Sequence, residues 1–185
     1  DNTFEIIKNL QLKNIKILNN KKNKGQSFST RYGIEDSLNK IIITLDGDGQ
    51  NDPADIPKLL DYYLRNEDIK LVGGLRIKRK DKINKIISSK IANFIRSKVL
   101  NDGCKDTGCS LKVFDKNIFL SFPYFNGIHR FLPALYKGYG KKTFFIKVDH
   151  RERKYGFSNY GTLDRLFRGI KDLIRVIKII NNIKK

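Results

Sequence analysis

Apolar and polar residues follow two periods along this chain, one typical of helices and one typical of strands. The run Lys40-Ile41-Ile42-Ile43-Thr44-Leu45 is apolar at consecutive positions and predicts a short strand that is buried on both faces. Asp52 followed by Pro53 predicts the start of a helix, because aspartate caps helices and proline fits the first helical position. The apolar stripe of that helix would consist of Ile56, Leu59, Leu60 and Tyr63.

Further elements follow from the same patterns. Strands are predicted at residues 15–18, 69–74, 110–114 and 143–148, and helices at residues 25–38, 86–100, 130–136 and from Leu163 toward the end. Asn2 and Glu5 have the spacing of a capping box, which predicts a first helix with an inner face of Phe4, Ile7 and Leu10. Strands that alternate with helices predict an α/β domain with a largely parallel sheet.

Charge and composition narrow the possible partners. The chain has 185 residues with 38 Lys or Arg against 19 Asp or Glu, a net charge of +19, which favours an anionic partner such as a phosphorylated substrate, a membrane surface or a nucleic acid. The basic residues are spread along the chain without a nucleic-acid-binding motif, so we expect no nucleic acid partner. Two cysteines and two isolated histidines predict neither a disulfide framework nor a zinc site. The chain lacks methionine and opens at Asp1, so we expect that its start has been removed.

The most informative segment follows the predicted central strand. Asp46-Gly47-Asp48-Gly49-Gln50 sets two carboxylates and an amide at alternate positions, which point the same way on an extended backbone. In open α/β sheets, ligands bind just beyond the carboxyl ends of strands. Asp46, Asp48 and Gln50 could therefore hold one hard divalent cation with oxygen ligands alone.

These residues alone leave four interpretations open. The first is a solvated turn before a capped helix. The second is a calcium loop, although glycine and glutamate are expected where Asn51 and Pro57 stand. The third is a haloacid-dehalogenase-like phosphatase with Asp46 as nucleophile and Asp48 as acid/base, although no convincing later acidic metal motif follows. The fourth is the Asp-x-Asp site of a nucleotide-sugar glycosyltransferase, where a cation bridges a diphosphate.

Other segments match the fourth interpretation. The order and spacing of five segments resemble family 2 glycosyltransferases of the dolichyl-phosphate or polyprenyl-phosphate kind over nearly the whole chain. The matching segments are Asn23-Lys24-Gly25-Gln26-Ser27, Asp46-Gly47-Asp48-Gly49-Gln50-Asn51-Asp52-Pro53, Val72-Gly73-Gly74-Leu75-Arg76, Asp106-Thr107-Gly108-Cys109-Ser110-Leu111-Lys112 and Arg153-Lys154-Tyr155-Gly156-Phe157-Ser158-Asn159-Tyr160. His129-Arg130-Phe131-Leu132-Pro133 also resembles a segment of some relatives, where His129 would contact substrate or begin a helix.

The resemblance implies a GT-A fold, a nucleotide-diphosphate sugar as donor, a lipid phosphate as acceptor, and inverting transfer dependent on Mg²⁺ or Mn²⁺. It implies a metal site of Asp46, Asp48 and Gln50, with catalytic roles for Asp46, Asp48 and Arg153. Ser158 and Asn159 would bind the donor beside Arg153, although many relatives carry lysine in place of Asn159. Arg76 and Lys85 would bind the acceptor phosphate.

The resemblance also implies a domain plan and a location. Residues 1–160 would form the GT-A catalytic domain, N-terminally truncated because the first strand and the nucleotide-binding turn of the family would precede Asp1. Residues 161–185 would form a basic amphipathic helix that attaches to anionic lipid. The protein would then be cytoplasmic and peripheral at the inner face of the cytoplasmic membrane.

Overall fold

A four-stranded sheet forms the centre of the molecule. The computed structural model describes residues 2–10, 13–77, 93–152 and 162–183. Its strands are β1 (Ile41–Thr44), β2 (Ile69–Arg76), β3 (Lys112–Asp115) and β4 (Lys142–Val148), in the spatial order β1-β3-β2-β4. β3 runs antiparallel to both β1 and β2, whereas β2 and β4 are parallel.

The prediction of a largely parallel sheet holds for the shared direction of β1, β2 and β4 but is wrong for β3. It rested on the alternation of strands with helices, which does not determine the direction of an individual strand. The predicted strand at residues 15–18 is also wrong, since that segment has no strand assignment. The predicted strand at residues 110–114 is found two positions later, at Lys112–Asp115.

Helices cover both faces of this sheet. They are α1 (Thr3–Asn9), α2 (Gln26–Asp36), α3 (Ile56–Arg65), α4 (the helical residues 93–100), α5 (Lys116–Ser121), α6 (Leu132–Gly138) and α7 (Thr162–Ile183). Short 3₁₀ turns at Pro53–Asp55 and Ile128–Arg130 precede α3 and α6. The helix predicted at residues 130–136 is thus divided between the second of these turns and α6.

The alternation of side chains along the strands divides the interior into two clusters. Leu71 of β2 lies opposite Phe114 of β3, and both belong to the cluster that packs under α2, α5, α6 and α7. Their neighbours Val72 and Val113 point to the other face, where Leu59 and Tyr63 of α3 cover them. This arrangement confirms the predicted apolar stripe of α3.

The two ends of the chain differ in how firmly they pack. α1 contributes no buried residue, its Asn2 side chain makes no capping hydrogen bond, and Phe4 and Leu10 are exposed, so the predicted inner face is wrong. α7 instead packs on α6: Val176 is fully buried, and a Cβ at Gly138 would lie 2.6 Å from Ile180. The helix predicted from Leu163 is confirmed, and its inner face belongs to the main core.

Candidate functional site

The turn that follows β1 carries the three predicted metal ligands. Asp46, Asp48 and Gln50 are half-buried, whereas the three residues that alternate with them are exposed. The backbone amide of Gln50 donates a hydrogen bond to the Asp48 carboxylate over 3.1 Å, which tightens the turn. Gly49 has a φ of +74°, a conformation that L side chains rarely adopt. The three predicted ligands thus share the same partial burial within one short turn.

Residues from two other segments contact this turn. Gln26, in the first turn of α2, donates its side-chain amide to Asp46 Oδ1 over 3.1 Å. At the far end, the Arg151 amide donates to the Gln50 carbonyl over 2.8 Å. The Asp52 carboxylate accepts a hydrogen bond from the Ala54 amide and confirms the predicted cap before Pro53. The sequence did not single out Gln26 as a site residue, although it lies in a segment that carries the family resemblance.

The donor set suits a hard cation only in combination with outside ligands. Among the described residues, no group of three or more His, Cys, Asp or Glu side chains is placed to hold a metal ion. Asp46 and Asp48 supply two carboxylates and Gln50 supplies an amide oxygen, all of them ligands that Mg²⁺ accepts. Mg²⁺ characteristically takes one or two carboxylates together with phosphate oxygens and water. The residues therefore fit a cation that is shared with a bound diphosphate.

Arg76, at the end of β2, lies in a buried ion pair. Its Nε and Nη2 atoms each lie 2.7 Å from an oxygen of Asp106, and only 12% of the Arg76 side chain and 6% of the Asp106 side chain are exposed. The backbone amide of Arg76 also donates to Asp106, over 3.3 Å. The Nε–Nη2 edge of the guanidinium is thus committed to a carboxylate, a partner that the sequence did not identify.

His129 lies beside the first turn of α2. The Gly127 amide donates to Ser27 Oγ over 2.8 Å, and Ser27 Oγ lies 2.8 Å from His129 Nδ1. Ser27 Oγ thus connects the Gly127 amide to the His129 ring, and the tautomer of His129 determines which of Ser27 and His129 donates. Burial lowers the pKa of His129 to about 3, with the positive charges of Arg130 and Lys112 acting in the same direction. His129 is therefore a neutral hydrogen-bond donor at physiological pH.

The two cysteines are buried parts of the core. Both are 1% exposed, and burial raises the pKa of Cys104 to about 11 and also raises the pKa of Cys109. Thiols in this state are weak nucleophiles, because the thiolate is the reactive form.

Four predicted site residues lie outside the described residues: Lys85, Arg153, Ser158 and Asn159. Their roles remain predictions from the resemblance. The described part of the site consists of the Asp46–Gln50 turn, the first turn of α2, the end of β2 and the segment that precedes β3.

Comparison with known proteins decides the family. The model of glycosyl transferase family 2 matches residues 1–121. The chain belongs to glycosyl transferase family 2. Membership confirms the predicted family and favours the nucleotide-sugar interpretation of the Asp46–Gln50 turn over a phosphatase.

Two curated relatives of this family 2 chain act on polyprenyl phosphates according to their names. The dodecaprenyl-phosphate galacturonate synthase of Rhizobium johnstonii is 34% identical over 166 residues, which are 88% of this chain and 48% of the relative. The undecaprenyl-phosphate 4-deoxy-4-formamido-L-arabinose transferase of Pectobacterium carotovorum is 31% identical over 153 residues, 83% of this chain and 46% of the relative. The chain thus spans about half the length of these relatives.

A solved structure with low sequence identity confirms the GT-A fold. Glucosyl-3-phosphoglycerate synthase from Mycobacterium tuberculosis, in complex with Mn²⁺, uridine diphosphate and glucosyl-3-phosphoglycerate, aligns with a TM-score of 0.60 and 14% identity. The alignment covers 84% of this chain and 54% of that protein. At this level of identity the likeness shows the fold alone. In the part of the chain that the structure describes, no helix combines the length and apolar character needed to cross a bilayer.

Proposed function

We propose that the protein transfers a sugar from a nucleotide-diphosphate donor to a polyprenyl-phosphate acceptor, with inversion and with a divalent cation. The observation that carries the proposal is the half-buried set of Asp46, Asp48 and Gln50 directly after β1 in a family 2 chain. The names of the relatives support a polyprenyl phosphate as the acceptor class. The sugar and the nucleotide base are left open.

On the donor side, a divalent cation and the Arg153 guanidinium would both bind the diphosphate of the nucleotide sugar. Asp46, Asp48 and Gln50 would hold Mg²⁺ or Mn²⁺, whose contribution is to offset the negative charge that grows on the leaving nucleoside diphosphate. Gln26 would keep the Asp46 carboxylate in orientation through its 3.1 Å hydrogen bond. Arg153, with Ser158 and Asn159, would bind the diphosphate as the resemblance predicts, since a guanidinium can bind two phosphate oxygens at once.

The acceptor side would need little acid–base chemistry. A phosphate monoester is already ionised near neutral pH, so it can attack the sugar without a dedicated protein base. The protein must instead bring two anions together, which is the role proposed for Arg76 and Lys85. Because Arg76 is paired with Asp106, we expect Asp106 to orient the guanidinium toward the acceptor phosphate.

α7 would attach the protein to the membrane. Ile170 and Ile174 are about half exposed although they lie on a helix whose other face is buried. Lys171, Arg175 and Lys178 surround Ile174 and form a shallow groove with it. Exposed apolar side chains among basic ones favour an anionic lipid surface. This supports the proposed peripheral location at the inner face of the cytoplasmic membrane, where a lipid phosphate would be within reach.

The test is sugar transfer to undecaprenyl phosphate by the protein expressed from its complete gene, with a screen of nucleotide sugars and a titration of Mn²⁺ or Mg²⁺. Asp48→Asn keeps the side-chain shape but removes a charge from the cation site, and the rate should fall by about 10²–10³. Asp61→Asn is the control, since Asp61 is an exposed carboxylate on α3 paired with Arg65. Transfer by Asp48→Asn as fast as by Asp61→Asn at every metal concentration would contradict the metal role.

A further inference from the structure

One residue outside the acidic turn contacts that turn at both ends. Ser110, just before β3, accepts three hydrogen bonds from the segment that contains the predicted metal ligands. The Thr44 hydroxyl donates to the Ser110 carbonyl over 2.6 Å, and the Asp46 amide donates to Ser110 Oγ over 3.1 Å. At the other end, the side-chain amide of Asn51 donates to the same Oγ over 2.8 Å. The Ser110 hydroxyl therefore joins the start of the turn to its end.

Ser110 is well suited to act as a fixed point, because its neighbours are part of the core. Cys109 is 1% exposed and Leu111 is fully buried. The Leu111 carbonyl accepts a 2.9 Å hydrogen bond from the Gly74 amide, which ties this segment to β2. A Cβ at Gly74 would lie 2.8 Å from Cys109 Sγ, so only glycine there lets Cys109 approach this closely. The backbone that carries the Ser110 hydroxyl is thus held from both sides.

The two hydrogen bonds that Ser110 Oγ accepts are as many as a hydroxyl oxygen can accept. A serine oxygen has two lone pairs, and the Asp46 amide and the Asn51 side chain use both. Asn51 is 6% exposed, so its amide has little access to water as a replacement partner. Loss of the hydroxyl would leave one buried donor and one turn amide without their acceptor. The turn would then be free to open between residues 46 and 51.

We propose that Ser110 is a positioning residue that sets the separation and orientation of the Asp46 and Asp48 carboxylates for cation binding. The inference rests on the proposed function, in which these carboxylates hold Mg²⁺ or Mn²⁺. Partners that orient the ligands of a metal commonly change its affinity by about 10–100-fold when they are removed. Ser110→Ala should therefore weaken binding of Mn²⁺ by a factor of that size, whereas Ser110→Thr, which keeps the hydroxyl, should restore it.

The experiment is a titration of Mn²⁺ against this chain, with the free ion followed by electron paramagnetic resonance, in the presence and absence of uridine diphosphate. The variants are Ser110→Ala, Ser110→Thr and, as a control for the loss of a hydroxyl, Ser37→Ala, whose Oγ donates only to the Ile34 carbonyl within its own helix end. Thermal unfolding of each variant separates a change at the turn from a loss of folded protein. Weakened Mn²⁺ binding in Ser110→Ala alone, at a temperature where all variants are folded, is the expected result.

Asp48→Asn distinguishes failure of this inference from failure of the proposed function. Mn²⁺ binding that is absent in the unsubstituted chain, or unchanged in Asp48→Asn, would overturn the metal site and the inference together. Binding that is lost in Asp48→Asn but kept in Ser110→Ala would overturn the positioning role alone. Equal weakening in Ser110→Ala and Ser110→Thr would also overturn it, because the hydroxyl would then not be the group that matters.

Discussion

The buried pair of Arg76 and Asp106 gives a prediction whose size follows from the geometry. Asp106→Asn keeps the shape of the side chain but places an NH₂ group where an oxygen now accepts a 2.7 Å hydrogen bond from the guanidinium. With only 12% of the Arg76 side chain exposed, its charge cannot be fully solvated by water. Removal of one partner from a buried ion pair typically costs about 3–5 kcal/mol.

We expect the lower end of that range, because the guanidinium keeps some exposure and the backbone around it stays in place. About 3 kcal/mol corresponds to a fall in melting temperature of roughly 6–12 °C for a domain of this size. The assay is thermal unfolding followed by circular dichroism. Asp68→Asn is the control, because Asp68 and its partner Lys142 are both largely exposed, and exposed pairs contribute little.

A double variant tests the reason for the effect. If the cost arises from a buried positive charge that has lost the Asp106 carboxylate, Arg76→Gln combined with Asp106→Asn should be more stable than Asp106→Asn alone. A fall in melting temperature no larger than that of Asp68→Asn would refute the reasoning, and so would a double variant that is as unstable as the two single effects added together. In either case Arg76 would not depend on Asp106 for its place in the site.

Three further predictions follow. Gly74→Ala should lower the free energy of unfolding by about 1–3 kcal/mol in a chemical denaturation, since its Cβ would lie 2.8 Å from Cys109 Sγ. Gly33→Ala in α2 is the control, because a Cβ there meets open space and should not lower the free energy of unfolding. Equal effects of the two substitutions would contradict the close packing at Gly74. His129→Gln should reduce the loss of stability between pH 7 and pH 5. The pKa of His129 is lowered to about 3 in the folded chain, so below about pH 6.5 the unfolded chain binds a proton that the folded chain does not. The same fall in melting temperature from pH 7 to pH 5 for the unsubstituted chain and the variant would contradict this. Ile174→Glu should weaken sedimentation with anionic liposomes at low salt, and equal binding to neutral liposomes would count against membrane attachment.

The sequence predicted the features that local chemistry determines. β1 follows from a run of apolar residues, the cap at Asp52 follows from the side chain and the proline beside it, and α3 follows from a stripe at helical spacing. The placement of Asp46, Asp48 and Gln50 directly after β1 follows from the end of the apolar run. Each of these features depends on residues that are close in sequence.

The features that the sequence did not predict depend on distant residues. Phe4 and Leu10 have the spacing of a buried face, but spacing cannot show whether another element covers that face, and here α1 buries none of its residues. The Arg76 guanidinium meets a carboxylate thirty positions away, a pairing that no local pattern contains. Ser27 and His129 are 102 positions apart and become neighbours only because α2 packs beside the turn at Ile128–Arg130.

The direction of β3 is the most consequential of these features, because it determines which segments meet at the site. The Asp46–Gln50 turn and Arg76 lie at the carboxyl ends of β1 and β2. In a parallel sheet, the residues that precede β3 would lie at the opposite edge, far from both. Since β3 is antiparallel to its two neighbours, its first residues lie at the same edge, and Thr44 is paired with Lys112. This reversal lets Asp106 reach Arg76 on one side while Ser110 reaches Asp46 on the other. The segment from 106 to 110 is therefore a direct physical connection between the proposed acceptor and donor sides, and substitutions within it are expected to affect both.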